Sequence, residues 1–206
     1  MKQNIKLFEE WLAEAESRAH IPESWENACK GCEVKWIDDF TEAKNIMFKH
    51  EDDKKMDKGT FSKIFGRQYN KKEEKWEETT QYSEFKGGRF LYIIVDDHVA
   101  SAIYCGYRED NAFGMNKPTT PFIYEMGSMK DEKGRPIYNR AGGRAIAEFL
   151  KEYGLRFWLV CASDEAQSFW KHVGKKTGSY VKYLKRSSWG QPVFEFNPDI
   201  APKKKD

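Results

Sequence analysis

Two short segments in the last third of this 206-residue chain combine residue types suited to holding phosphates. The first, Arg140-Ala141-Gly142-Gly143-Arg144-Ala145, sets two glycines where a loop is expected to become a helix over 145–153. At such a start unpaired backbone N–H groups point outwards, glycine keeps a Cβ out of the way, and the helix dipole adds to the attraction for an anion. The second, Ser163-Asp164-Glu165-Ala166-Gln167-Ser168-Phe169-Trp170, opens another helix. Between them Leu155-Arg156-Phe157-Trp158-Leu159-Val160-Cys161-Ala162 is mostly apolar and reads as a buried strand. Strand, glycine turn, helix, strand and helix follow one another as in a βαβ crossover with an anion site at its first turn. Arg135, Arg140 and Arg144 bring three guanidinium groups to the same stretch. A phosphate-bearing coenzyme suits them, and so does a nucleic-acid backbone.

The elements that must position these segments follow from periodicity. Leu7, Phe8, Trp11, Leu12 and Ala15 repeat at helical spacing, so residues 3–19 are expected as an amphipathic helix that ends before Pro22. Glu33 to Ile37 alternates as a strand, and Thr41 is placed to cap a helix carrying Ala43, Ile46, Met47 and His50. The run Glu51-Asp52-Asp53-Lys54-Lys55 reads as a solvated turn. A second helical stretch with Phe61, Ile64 and Phe65 on one face grades into the lysine- and glutamate-rich segment Asn70 to Glu78, read as a helix laced with i,i+4 pairs. Phe90 to Val95 and Val99 to Cys105 form a hairpin around a three-residue turn, Asp96-Asp97-His98, followed by a strand from Phe122 to Met129. Ser179 to Lys185 and Pro192 to Phe196 make a final strand pair around 187–190. Residues 1–30 are thus a helix and linker, 33–197 one domain, and 198–206 a flexible basic tail.

The pattern Arg-x-x-Gly-x-Ala from Arg140 to Ala145, then helix, strand, and Ser-x-x-Ala-x-x-Phe-Trp-x-x-x-Gly from Ser163 to Gly174, resembles the GNAT superfamily of N-acetyltransferases. The order of elements over 33–197 resembles that family's core as well. The resemblance implies an α/β (α+β) fold with a mixed, mostly antiparallel central sheet flanked by helices, here with an extra N-terminal helix. It implies acetyl-CoA, or another acyl-CoA, as the cofactor. The pyrophosphate is expected over Arg140, Gly142, Gly143, Arg144 and Ala145, and the pantetheine arm along Met126, Gly127 and Ser128. Ser163 and Trp170 belong to the second motif. Ser163 stands where the family commonly has Asn, Trp170 where it has Tyr, and Lys175 where it has Phe.

Acyl transfer to an amine needs a base, a donor for the developing oxyanion, and an acid for the leaving thiolate. Glu125 is the only acid within its apolar strand, and a partly desolvated carboxylate there has the raised pKa that a base requires. If Tyr124 and Met126 point one way, Glu125 points the other. Backbone N–H groups near Met126 to Ser128 are the expected oxyanion donors. Trp170 cannot donate a proton as the family's tyrosine does, so Tyr180 and Tyr183, and beside them Tyr138 and His172, are the candidates for the acid role. Cys29-Lys30-Gly31-Cys32 has the spacing of half a zinc site, but no second pair completes it. The sequence reads it as a tight turn with two reduced thiols, and no metal is expected.

Composition bounds the partners. Lys plus Arg number 35 against 33 Asp plus Glu, too even a balance for a global field that recruits nucleic acid or membrane. The 15% aromatic content supplies core material despite a mean hydropathy of −0.83. No run approaches the ~20 apolar residues of a membrane span, and a cytoplasmic enzyme is the expectation. The expected partners are a CoA thioester and an amine acceptor, which is a small molecule, a protein amino group or a nucleic-acid-linked amine. Acceptor choice falls to the two helical segments before residue 78, where Phe65-Gly66-Arg67-Gln68-Tyr69-Asn70-Lys71-Lys72 and Lys75-Trp76 interleave bases with aromatics, and to the loop Glu109 to Pro121. Two alternatives stay open: a GNAT-like enzyme that modifies DNA or RNA bases, and a GNAT-fold binding protein without activity.

Overall fold

Phe90, Tyr92 and Ile94 alternate with Leu91 and Ile93 in a run that is apolar on both faces, so the strand they form needs cover on both sides. The computed structural model describes residues 20–50, 60–70, 72–73, 75–79, 88–107, 121–131, 133–160, 163–186 and 192–197. The helix expected at 3–19, the charge run 51–55, Cys161, the turn 187–190, the tail 198–206 and all of the 109–121 loop except Pro121 lie outside the described residues. Two units divide the chain, one of Glu23–Gly154 and one of Leu155–Asp206 with Met1–Pro22, so the division falls inside the 33–197 segment. Both are mixed α/β, with antiparallel strands and flanking helices.

The first unit runs α1 (Glu23–Glu26), β1 (Glu33–Ile37), α2 (Phe40–Met47), α3 (Thr60–Ile64), β2 (Arg67–Asn70), β3 (Lys75–Glu78), β4 (Gly88–Val95), β5 (His98–Tyr107), β6 (Pro121–Ser128) and α4 (Ala141–Tyr153). Its main sheet has the antiparallel order β1-β4-β5-β6. One face carries Ile37, Phe90, Tyr92, Ile94, Ala102 and Tyr104, buried with Ala43 and Met47 of α2 and with Phe61, Ile64 and Phe65 at α3. Phe61 and Phe65 are fully covered, which contributes about 1.5–3 kcal/mol each. The Tyr92 hydroxyl donates to the Ala43 carbonyl at 3.1 Å and ties α2 to the sheet. The other face meets α4. There Arg89 reaches Glu152 at 2.8 Å and Trp36 meets Tyr153 edge-on at 5.8 Å.

Several local expectations are corrected. Asp39, not Thr41, caps α2, because its carboxylate accepts from the Glu42 N–H at 2.6 Å. The segment read as a continuing helix is instead the β2–β3 hairpin. Tyr69 pairs across it with Trp76, and the Asn70 side chain accepts from the Lys72 and Glu73 N–H groups to make the turn. Trp76 packs edge-on against Phe48 at 5.2 Å, so tertiary burial outweighs the helical propensity of the Lys and Glu residues. The β4–β5 turn has two residues, Asp96 and Asp97, with φ of 49° and 66°, and His98 already pairs with Val95.

Gly88 has a structural reason for its identity. The Tyr104 ring lies across it, stacked on Phe90 with centroids 4.4 Å apart, and a Cβ at Gly88 would fall inside that ring. The Gly88 N–H also donates to the Tyr104 hydroxyl. Tyr104 is 1% exposed and tilted against Tyr124, so it has nowhere to move. Gly88→Ala is expected to cost about 1–3 kcal/mol, read as a lowered denaturation midpoint at unchanged slope.

The second unit contains β7 (Phe157–Val160), α5 (Asp164–Thr177), β8 (Tyr180–Arg186) and β9 (Pro192–Asn197), with strand order β7-β9-β8, all antiparallel. Phe157 stacks on Phe196 at 4.5 Å and Trp170 closes on both rings from α5. Gly174 lets β8 approach the helix, because a Cβ there would strike Val181.

Candidate functional site

Whether a carboxylate on β6 and a phosphate locus on α4 serve one site depends on which way each β6 residue points. Tyr104 pairs with Glu125 while the next residue, Cys105, pairs with Ile123, so Tyr124 is an extra residue and β6 is bulged there. The Tyr124 ring packs on Tyr104 and Phe122, at 5.1 and 4.9 Å, on the α2/α3 face. Met126 lies on the opposite face: a Cβ on Gly142 would sit 3.7 Å from Met126 Cε and 3.0 Å from Ser128 Oγ. The expectation that Tyr124 and Met126 share a face is thus overturned by the bulge, which resets the alternation. Gly127 faces Phe61, with 3.5 Å from its ideal Cβ to the ring, so Glu125 projects toward the α2/α3 face and is half-buried there. Ser128 Oγ donates to Ser101 Oγ at 3.3 Å, which donates to the Gly127 carbonyl at 3.0 Å.

The start of α4 differs from the sequence reading. The helix begins at Ala141, not Ala145, so both glycines lie in its first turn. Arg140 is the flanking residue at φ 65°, a left-handed conformation costly for a residue with a Cβ, and its carbonyl already accepts from the Arg144 N–H at 3.1 Å. The N–H groups left without a partner inside the helix are therefore those of Ala141, Gly142 and Gly143. Ala145 is fully buried in the next turn and is a packing residue. Gly143 lies under the indole of Trp25, whose Cδ1 is 3.2 Å from the ideal Cβ position. Arg144 turns onto the same segment, donating to the Glu26 carbonyl and meeting Glu148 at 3.0 Å, while Lys151 meets Glu26 at 3.1 Å. Trp25 and Glu26 are thus contacts of the locus that motif reading missed. They fall in the segment taken as linker, and a single tryptophan there gave the only signal.

The turn between β6 and α4 is closed by Asp131. Its carboxylate accepts from the backbone N–H of Lys133 at 2.9 Å and of Arg135 at 2.8 Å, and from Arg135 Nε at 2.9 Å. Arg135 is consequently committed to Asp131, and Arg144 to Glu26 and Glu148. Of the three guanidinium groups expected near phosphates, Arg140 is exposed at the start of α4. The bonds from Arg135, backbone first, hold the Asp131 carboxyl below the ordinary carboxylate range. A depressed folded-state value means that this contribution is complete above the unfolded pKa of about 4 and is lost as pH falls through the folded one. The Lys133 and Arg135 amide signals should shift together in an NMR titration below that range, and the shift should vanish in Asp131→Asn.

The remaining sequence-predicted residues belong to the second unit. Ser163 caps α5, its hydroxyl accepting from the Ala166 N–H at 3.2 Å. Trp170 is 6% exposed and fills that unit's aromatic core. Tyr180 and Tyr183 are exposed on β8, and their odd spacing on a regular stretch of strand sets them on opposite faces. His172 is exposed on α5. No group of three or more His, Cys, Asp or Glu among the described residues is placed to hold a metal ion.

What the geometry joins is Met126 and Ser128 at the end of β6 with Gly142 in the first turn of α4. Among solved structures, an acetyltransferase from Thermus thermophilus is similar. It is 12% identical, with a TM-score of 0.38, and the match covers 54% of this chain and 64% of that one, less than two thirds of its length. No family model matches the chain, and no curated protein does. No helix among the described residues is long and apolar enough to cross a membrane.

Proposed function

We propose that the chain is an acyl-CoA-dependent N-acyltransferase, with acetyl-CoA as donor and an amine as acceptor. The observation that carries this reading is the close approach of Gly142 to Ser128 and Met126, which puts helix-start N–H groups beside the end of a bulged strand. Glycine at 142 leaves a cradle that a Cβ would fill, and the residues fit a pyrophosphate there. A bound acyl-CoA supplies an activated thioester carbonyl. The chain supplies the rest. The Ala141, Gly142 and Gly143 N–H groups and the Arg140 charge hold phosphate oxygens, and Met126 and Ser128 line the α4 side of β6. Glu125, on the other face of the same strand, takes the proton from an amine that arrives from the α2/α3 side.

The nucleic-acid alternative drew on bases and aromatics between residues 65 and 76. Among those bases Arg67 shares the single carboxylate of Glu78 with Lys44, at 2.9 and 3.0 Å, and Lys75 meets Glu73, so part of the segment's positive charge is offset locally. An amine that is small or protein-borne fits this surface better. Calorimetry with acetyl-CoA and with CoA tests the proposal. Micromolar binding supports the coenzyme site, and no binding to the folded chain removes it.

A further inference from the structure

Cys29 and Cys32 flank a turn that the proposed transfer does not use. The Cys32 N–H donates to the Cys29 carbonyl at 3.0 Å, which closes a four-residue turn whose ends lie within about 7 Å by Cα. Gly31, third in that turn, has φ 86°, the left-handed value that this position of a type II turn requires. The span overlaps the roughly 4.4–6.8 Å that a disulfide bridges. The two side chains meet in a thiol–thiol hydrogen bond, and both residues are half-buried and unoxidised. Cys105, the other described thiol, is fully buried, and burial pushes it up to about 12, so it stays inert.

We propose that Cys29 and Cys32 form a dithiol–disulfide site whose oxidant is a small-molecule disulfide of the glutathione class. The Cys29 thiolate attacks one sulfur of that disulfide, forms a mixed disulfide and releases one small thiol. Cys32 then loses its proton to solvent and attacks the Cys29 sulfur, which forms the intramolecular bond and releases the second small thiol. The protein loses two hydrogens, and the oxidant gains two electrons and two protons. Burial first, and then the Cys29 sulfur, raise the Cys32 thiol above its ordinary value, which suits Cys32 to the second, resolving step. The turn is already closed by its hydrogen bond, so the second step needs little backbone movement. Its four-residue ring restrains the unfolded chain little, which keeps the bond readily reducible.

The test incubates the whole chain with glutathione disulfide, alkylates it under denaturing conditions and weighs it. The expected product has lost two of its four alkylatable thiols, retains no glutathione, maps the bond to 29–32, and regains both thiols with dithiothreitol. Its rate should rise with pH above neutrality. Cys32→Ser should instead hold a stable glutathione adduct at Cys29. If that variant does not fold, a time course on the native chain decides, since the mixed disulfide must appear and then decay. A lasting adduct on the native protein, a cross-link between chains, or no reaction of the folded protein would each overturn the proposal.

Discussion

Gly142→Glu is expected to abolish acetyl-CoA and CoA binding while the chain stays as stable as before or gains stability. A Cβ at this position meets Ser128 Oγ at 3.0 Å and Met126 Cε at 3.7 Å, and a serine hydroxyl can yield by a few tenths of an ångström. Replacing glycine in a helix gains about 0.5–1 kcal/mol, and a carboxylate in the first turn adds about 0.3–1 kcal/mol through the dipole. The same carboxylate occupies the N–H groups offered to a pyrophosphate and repels its charge. An affinity loss of at least about 100-fold, or ~2.8 kcal/mol, should appear in calorimetry, with an unchanged or higher melting temperature. Gly142→Ala separates steric filling from charge and should weaken binding far less. Gly143→Glu is the poorer test, because its side chain strikes Trp25 and would disturb α1 as well. Native affinity in Gly142→Glu would mean that the start of α4 does not hold the phosphates.

Elements built on strong periodicity were legible in the sequence, and those built on long-range contacts were not. The β4–β5 hairpin, β6, α5 and the body of α4 fall where the apolar repeats put them. The β2–β3 hairpin was not legible, because its Lys and Glu residues favour helix locally and only the packing of Trp76 against Phe48 decides for strand. Four residues were gained at the start of α4 because Arg140 accepts a left-handed φ, which no propensity predicts. At the site, the proximity of Gly142 to the end of β6 was not legible in spacing or composition, since only the family resemblance set those two segments side by side. The commitment of Arg135 and Arg144 to acidic or carbonyl partners was not legible either, since it depends on Asp131, Glu26 and Glu148 arriving from turns and neighbouring elements. The bulge at Tyr124 was equally invisible, yet it decides which face Glu125 occupies.

That face gives Glu125→Gln its sharp expectation. Glutamine keeps the size and the hydrogen-bonding shape of the side chain but cannot take a proton, so kcat should fall by about 10²–10⁴. Gly142, Met126 and Ser128 meet on the α4 side of β6 while Glu125 projects from the α2/α3 side, so coenzyme affinity measured by calorimetry should hold. A loss confined to kcat marks a group acting on the reacting amine, whereas a packing defect would lower the melting temperature and coenzyme affinity together. The pH profile adds a second reading: the acidic limb of the native kcat/KM curve should disappear in the variant. Native turnover in Glu125→Gln would move the base elsewhere or show that the amine arrives already neutral. Coenzyme binding with no turnover of any amine by the native chain would favour a binding protein that has kept the phosphate turn without the chemistry. In that case Gly142→Glu would still lose affinity, so the two variants together separate a failed coenzyme site from a failed catalyst.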